Sequence, residues 1–160
     1  MADNNLFDIY LKNRQQIQNF AVIINSPIFR LLLEISGREM TGSLTVLKIQ
    51  IYEFKNIFVV HPGIISVKDE FLNLFLIREI KSIFEELGFP KCNQRNCKHP
   101  EHPYEYVKPE EVSFHRIMPD RRELDKIVFE ALDLTEEEQL EVYRAVLELV
   151  KNRLLKAKSK

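Results

Sequence analysis

The sequence predicts an α+β fold that is predominantly helical, with a small β element at about residues 44–60 flanked by helices and a helical hairpin at the C-terminus. Apolar residues recur at three- and four-residue spacings over most of the chain, and alternation with period two is confined to residues 44–51. We expect a mixed α/β part at residues 1–90, an irregular segment at 91–118 and the hairpin at 119–160.

The N-terminal part predicts two helices. The first is expected to start after Asp3 or Asn4. The second opens at Ser26-Pro27, a capping residue followed by a first-turn proline, and Gly37 is placed to end it. The apolar run Leu31–Leu33 predicts that this second helix is buried.

The middle of the chain predicts the β element and then one long helix. The alternating residues 44–51 predict a strand, with a slip consistent with a bulge, and residues 52–56 predict a turn or helical connection. Ile57–Val60 predict a second strand. From Ser66 to Leu87 the apolar spacing is helical, and it places Ile80 among the buried positions.

The C-terminal stretch predicts two further helices. Asp120 is expected to cap the first of them, with Glu123 reaching back to the cap. Thr135 and Glu138 predict a second capping box, and the acidic residues around Glu138 suit the positive end of a helix dipole. Apolar residues then repeat with helical period over residues 140–154, so a packed helix pair with solvated charged faces is expected.

Composition describes a globular chain with almost no net charge. Of 160 residues, 45% are hydrophobic and 29% are charged, which suits one domain with a real core. The 23 basic and 24 acidic residues give a formal charge of −1. This balance argues against a general nucleic-acid coat protein, because non-specific DNA affinity comes largely from phosphate neutralisation. It leaves open a module that reads bases within a larger, more basic protein.

The sequence contains neither a membrane-span pattern nor a secretory signal. No apolar run reaches the roughly 18 residues that a transmembrane helix needs. Residues 1–5 lack the basic and apolar regions of a signal peptide. We therefore expect a cytoplasmic, reducing setting.

Two parts of the chain resemble one protein family. Residues 119–160 resemble the extreme C-terminus of adenine-specific (N6) DNA methyltransferases of restriction–modification systems. Asn25-Ser26, Gly37-Arg38 and Gly42, followed by a β-like stretch to Pro62, look like the closing half of the target-recognition domain of these enzymes. In that family a helix opening at a Leu-Asn-Ser-type step precedes a Gly-Arg turn, a glycine-rich loop and a strand. The loop here has only Gly42 where two or three glycines are common.

The resemblance implies a non-catalytic, DNA-recognition or scaffolding part of such an enzyme. Its partners would be double-stranded DNA and a methyltransferase catalytic domain or subunit. The four glycines form neither a phosphate loop nor the S-adenosylmethionine motif, and no Asn-Pro-Pro-Tyr or Asp-Pro-Pro-Tyr motif occurs. S-adenosylmethionine would therefore act only through a catalytic domain absent here. We assign no catalytic residue and expect no methyl transfer by this chain alone.

Five polar side chains near the resembling turn and strand are candidate DNA contacts. They are Arg30, Arg38, Thr41, Lys48 and Lys55. Arginine and threonine can contact base edges or phosphates, and lysine more readily contacts phosphates. The alternative for each of them is an ordinary solvated surface position.

A cluster of metal-binding residue types lies within the least regular part of the chain. Cys92, Cys97, His99 and His102 provide two thiolates and two imidazoles, which is a tetrahedral zinc set. With four protein ligands, zinc would be structural. The alternatives are a surface loop with incidental polar residues or a disulfide between the two cysteines, which a reducing cytoplasm disfavours.

A second function class fits the same residues. The chain could be a zinc-stabilised protein–protein interaction module without DNA binding, in which an exposed face of the amphipathic hairpin docks a partner. Salt-sensitive DNA binding would favour the methyltransferase part, and a stable protein complex without DNA affinity would favour the interaction module.

Overall fold

The computed structural model describes residues 9–39, 47–57, 60–90 and 104–158. The protein is predominantly helical, as the sequence predicts. In chain order the described elements are α1 (Arg14–Asn25), α2 (Pro27–Ser36), β1 (Arg38–Glu39), β2 (Leu47–Lys48), α3 (Ile51–Asn56), α4 (Asp69–Ile77), α5 (Ile83–Glu86), a 3₁₀ turn (Pro109–Glu111), α6 (Pro119–Ala131) and α7 (Glu136–Lys158).

Side-chain caps set the bounds of the first two helices. The Asn13 side chain accepts a hydrogen bond from the backbone N–H of Gln16 at 2.9 Å, so α1 begins at Arg14, later than expected. Ser26 caps α2 and the N–H of Gly37 donates to Leu33 O at 2.8 Å, which confirms the predicted start and end of α2. Leu31–Leu33 are half-buried rather than buried, and α2 packs chiefly on α7.

The β element differs from the predicted one. Arg38 pairs with Lys48 and Glu39 with Leu47 in an antiparallel two-stranded ladder. The sequence predicts a turn at Arg38 and a strand continuing to Ile51. In the structure Ile51 opens α3, because the carboxylate of Glu53 accepts from the N–H of Gln50 at 2.6 Å and closes a capping box. Residues 44–46 and 58–59 of the two predicted strands lie outside the described residues.

The predicted long middle helix is two helices. α4 ends at Ile77, and a capping box formed by Ser82 and Glu85 opens α5. The connection between them leaves Ile80 97% exposed, so the expectation that Ile80 is buried was wrong. Helical periodicity continues through a break of this kind, whereas a capping box marks a new helix start.

The start of α6 was mispredicted and the start of α7 was predicted correctly. Asp120 does not cap α6: the capping residue is Met118, which makes no side-chain capping hydrogen bond, and Pro119 takes the first helical position. Thr135 and Glu138 form the expected capping box, in which Thr135 N–H donates to Glu138 Oε2 at 2.8 Å.

Two apolar clusters hold these helices together. One surrounds α7 and the other lies between α1, α4 and α6. α7 packs chiefly along α2, and α6 packs against α1. α6 and α7 meet near their junction, where the rings of Phe129 and Tyr143 contact edge to face at 5.4 Å. Residues before position 90 and after position 119 contribute to both clusters.

No single helix in the described ranges has the length and apolar character to cross a membrane. α1 and α2 have the required length and apolar character only when they are taken together, and the chain bends by 63° between them.

Candidate functional site

Three of the candidate DNA contacts, Arg38, Lys48 and Lys55, share one surface with Tyr52, and we call these four residues the ladder patch. Arg38 and Lys48 are opposite each other across the ladder. Tyr52 and Lys55 are three residues apart on α3 and so share a face. The Arg38 guanidinium lies over the Tyr52 ring, 5.5 Å from its centroid, and joins the ladder to α3.

The ladder patch carries a surplus of positive charge. Its acidic neighbour is Glu53, which accepts a hydrogen bond from Arg38 Nε at 2.6 Å. The backbone hydrogen bond from Gln50, with help from Arg38, lowers the pKa of Glu53, so this carboxylate stays ionised. Among the side chains that are described at this surface, three cations against one anion leave a surplus of two, and Lys48 and Lys55 are exposed. The patch can therefore attract phosphate groups.

The other two candidate contacts are not part of this surface. Arg30 lies in the first half of α2, 3.4 Å from Glu34, at the mouth of a cleft. Thr41 lies outside the described residues. Tyr52 was missed by sequence reasoning, although an aromatic residue three positions before Lys55 on a short helix is a signal that could have found it.

A second feature was not foreseen from the sequence. A cleft of about 620 Å³ opens where the α1–α2 junction, the connection at residues 78–82, α5, α6 and α7 meet, and we call it the central cleft. Its charged lining residues are Arg30, Arg78, Glu79, Lys81, Glu86, Arg121 and Arg153. Its volume is that of an ordinary small-ligand site.

The floor of the central cleft is a buried ion-pair network. Arg121 is 5% exposed and Asp125 is 0% exposed. Arg121 Nε donates to Asp125 Oδ2 at 2.9 Å, and its Nη2 lies 2.7 Å from Oδ1. Arg121 also donates to the backbone carbonyl of Asn25 and lies 3.4 Å from Glu86. The Tyr143 hydroxyl donates to Asp125 Oδ2 at 2.8 Å. This network connects α6 to α1, α5 and α7.

Neighbouring ion pairs balance most of the remaining charge. Arg78 lies 2.7 Å from Glu86 and 2.9 Å from Asp120. Arg153 makes two hydrogen bonds to Glu34, at 2.9 and 2.8 Å, and ties α7 to α2. Among the described residues, the five lining cations are matched in number by five carboxyl groups: Glu79 and Glu86 on the lining, and Glu34, Asp120 and Asp125, which pair with lining arginines. The ion pairs of the floor hold helices together. Arg30 and Lys81 are the two lining cations outside the floor network.

Burial dominates the titration of Asp125. It raises the pKa of this carboxyl from 3.8 to about 7, against the opposing effects of the Arg121 guanidinium and the Tyr143 hydrogen bond. Burial also raises the pKa of Tyr143, which therefore remains a hydrogen-bond donor. Neither Asp125 nor Tyr143 is positioned to act as an acid or base on a bound substrate, because both side chains are enclosed within the fold.

The predicted zinc ligands belong to the segment between Pro90 and Tyr104. Cys92, Cys97, His99 and His102 lie outside the described residues. Within the ranges that are described, no group of three or more histidine, cysteine, aspartate or glutamate side chains is arranged to hold a metal ion.

Comparisons with protein-family models, curated proteins and solved structures found no match for the chain.

Proposed function

We propose that this chain is a non-catalytic DNA-recognition and scaffolding part of an adenine-specific DNA methyltransferase of a restriction–modification system, working in the cytoplasm. The observation that carries the proposal is the ladder patch, where the side chains singled out near the resembling Gly37-Arg38 turn share one surface with an exposed tyrosine. The class of enzyme is inferred from the order of the resembling motifs along the sequence.

In this proposal the ladder patch holds a DNA duplex. Lys48 and Lys55 contact phosphates, since each is an exposed point charge on a flexible stem. Arg38 and Tyr52 support each other and contact the sugar or base edges between those phosphates. α6 and α7 act as a C-terminal hairpin that braces this surface through α1 and α2. A separate catalytic domain or subunit supplies S-adenosylmethionine and extrudes the adenine.

Duplex binding should weaken with salt and depend on the two lysines. We expect the Lys48→Gln/Lys55→Gln variant to bind a fluorescein-labelled duplex about tenfold or more weakly than the unchanged chain at low salt. The slope of log affinity against log salt should become less negative by about 2, because each lost phosphate contact removes about 0.9 from its magnitude. Fluorescence anisotropy over a salt series measures both quantities.

A matched control separates contact from overall charge. Lys108→Gln/Lys126→Gln removes the same number of charges from side chains that are each 59% exposed, one just before the 3₁₀ turn and one on α6. It should leave the slope within about 0.5 of the original value. Equal effects of the two double variants, or no duplex binding at low salt, would count against the proposal.

We also propose structural zinc at Cys92, Cys97, His99 and His102. Elemental analysis of protein purified under reducing conditions should find about one zinc per chain. A chelator should then lower the melting temperature, because metal-binding energy becomes folding energy. A metal-free protein whose stability is the same with and without added zinc would remove the site. A mass lower by two hydrogens, restored by reductant, would identify the disulfide alternative.

The exposed apolar face of α1 favours the second candidate, a protein–protein interaction module. α1 buries Gln18, Asn19, Val22 and Ile23 and exposes Ile17 and Ile24, which lie seven residues apart on one side. Asn19 is held inside by donating to the carbonyls of Pro62 and Ile65, both at 2.7 Å. Exposed isoleucines on one helix face give a partner apolar surface to bury. A stable complex with another protein, formed by a chain without DNA affinity, would establish this second candidate.

A further inference from the structure

The central cleft has an aromatic wall. The rings of Phe84 and Tyr104 stack at 4.9 Å between centroids with 29° between their planes, and both residues line the cleft. Phe84 is buried and Tyr104 is half-buried, so Tyr104 is the ring more accessible to a ligand. Ile24 and Ile80 stand exposed on the rim. Flat, apolar surfaces of this kind accept an aromatic ring by stacking.

The mouth of the cleft carries two cations that are less fully balanced than those of the floor. The Arg30 side chain is 47% exposed, and its neighbour Glu34 already accepts both hydrogen bonds of Arg153. One carboxylate thus serves two guanidinium groups. Lys81, in the connection before α5, is half-buried and also lines the cleft. Glu79, two residues before Lys81, is exposed and is an acidic lining residue of the cleft.

The charge balance restricts which anion can bind. Among the described residues, five cations and five carboxyl groups surround the cleft, and Asp125, with a pKa of about 7, is partly protonated near neutral pH. The surplus is therefore at most about one positive charge, which does not match the three or four negative charges of a nucleoside triphosphate. Arg30 and Lys81 can bind a phosphate group that carries a single negative charge. A phosphodiester in a nucleic-acid strand has that charge, and its base supplies the flat ring.

We propose that the central cleft binds one nucleotide unit of a single nucleic-acid strand, with the base against Tyr104 and the phosphodiester between Arg30 and Lys81. The volume of about 620 Å³ accommodates a nucleotide. The inference rests on the proposed function in that both place DNA on this chain. It concerns a separate surface, so the two can fail separately: Lys48 and Lys55 variants test the ladder patch, and Arg30 and Lys81 variants test the cleft.

The test uses the full chain and a fluorescein-labelled octadeoxyadenylate strand at low salt. We expect Arg30→Gln/Lys81→Gln to weaken strand binding about tenfold, and to reduce the magnitude of the salt slope by about 0.7, since the two cations share one phosphate and each single-strand phosphate contact contributes about 0.7. Lys108→Gln/Lys126→Gln, which removes the same charge elsewhere, should change affinity less than about twofold. Equal strand affinities for the cleft variant and the unchanged chain would overturn the proposal.

Two further arms examine the base and the source of the nucleotide. An abasic strand of equal length and charge should bind about tenfold more weakly, because base–aromatic stacking is lost. The unlabelled octamer should displace the labelled strand at lower nucleotide concentration than ATP does. Equal binding of the abasic strand would remove the stacking role of Tyr104. Displacement by ATP at lower concentration than by the octamer would overturn the assignment of a single-charge ligand.

Discussion

Replacing Arg121 with methionine is expected to lower the free energy of unfolding by about 3–5 kcal/mol at about pH 8. Methionine fills similar volume but leaves the carboxylate of Asp125, which is 0% exposed, without its guanidinium partner. A buried charge without a partner costs several kcal/mol, far more than the loss of an exposed pair. Urea denaturation followed by circular dichroism measures the effect.

The pH dependence gives this prediction a second readout. The pKa of Asp125 is about 7 in the fold, against 3.8 when it is free. Between these values the folded chain holds a proton that the unfolded chain has lost, so stability falls as pH rises across this window. Without Arg121 the pKa of Asp125 rises further and the loss continues to higher pH. The destabilisation of Arg121→Met should therefore be greater at about pH 8 than at about pH 5.5.

Two variants separate the buried charge from other effects. Arg121→Met/Asp125→Asn removes both charges and keeps a side chain that can accept from Tyr143, so it should recover about 2 kcal/mol or more at about pH 8. Lys126→Met, at an exposed position on the same helix, should cost less than about 0.5 kcal/mol. An Arg121→Met variant as stable as the unchanged chain at both pH values would show that the network does not hold the fold together.

Gly88→Ala is expected to destabilise the fold by about 3 kcal/mol. Gly88 has φ +89°, a backbone conformation that costs an L-residue about 1–2 kcal/mol. An added Cβ would also lie 2.6 Å from both the Cβ and the carbonyl oxygen of Arg116, so main chain would have to move. The residues around Gly88 belong to the cluster that packs on α7, and overpacking there adds about 1–3 kcal/mol.

Gly63→Ala is the matched control for Gly88→Ala. Its Cβ would lie 3.0 Å from the imidazole of His61, a side chain that can turn away, and φ at this glycine is not in the left-handed region. We expect a cost below about 1 kcal/mol. Thermal melting of both variants measures the difference, and similar melting temperatures would contradict the role assigned to the turn at Gly88.

Local signals in the sequence correctly predicted the bounds of α2 and the start of α7. Ser26 with Pro27 and Thr135 with Glu138 act over three or four residues, so the sequence contains both partners of each cap. The Ser82 and Glu85 capping box is a signal of the same kind, and helical spacing on both sides of it hid the break between α4 and α5. The apolar spacing of α6 and α7 correctly placed buried Leu124 and Leu147.

Contacts between distant residues were beyond such reasoning. Arg38 was expected in a turn, and its pairing with Lys48 depends on how the chain returns after β1. The central cleft joins Glu34 to Arg153 across 119 positions and Asn25 to Arg121 across 96. No periodic pattern connects these residues. The sequence identified Arg30, Lys48 and Lys55 as candidate cations, and only the fold separates Arg30 at the cleft from the lysines of the ladder patch.

Nuclear magnetic resonance titration of the ¹⁵N-labelled chain with a short DNA duplex tests the central claim most directly, because it locates the contact. We expect the backbone amides of Arg38, Lys48, Tyr52 and Lys55 to show the largest chemical-shift changes, and these changes to diminish as salt is added. Duplex-induced shifts that avoid these four residues, or a spectrum unchanged by duplex at low salt, would contradict the claim that the ladder patch reads DNA.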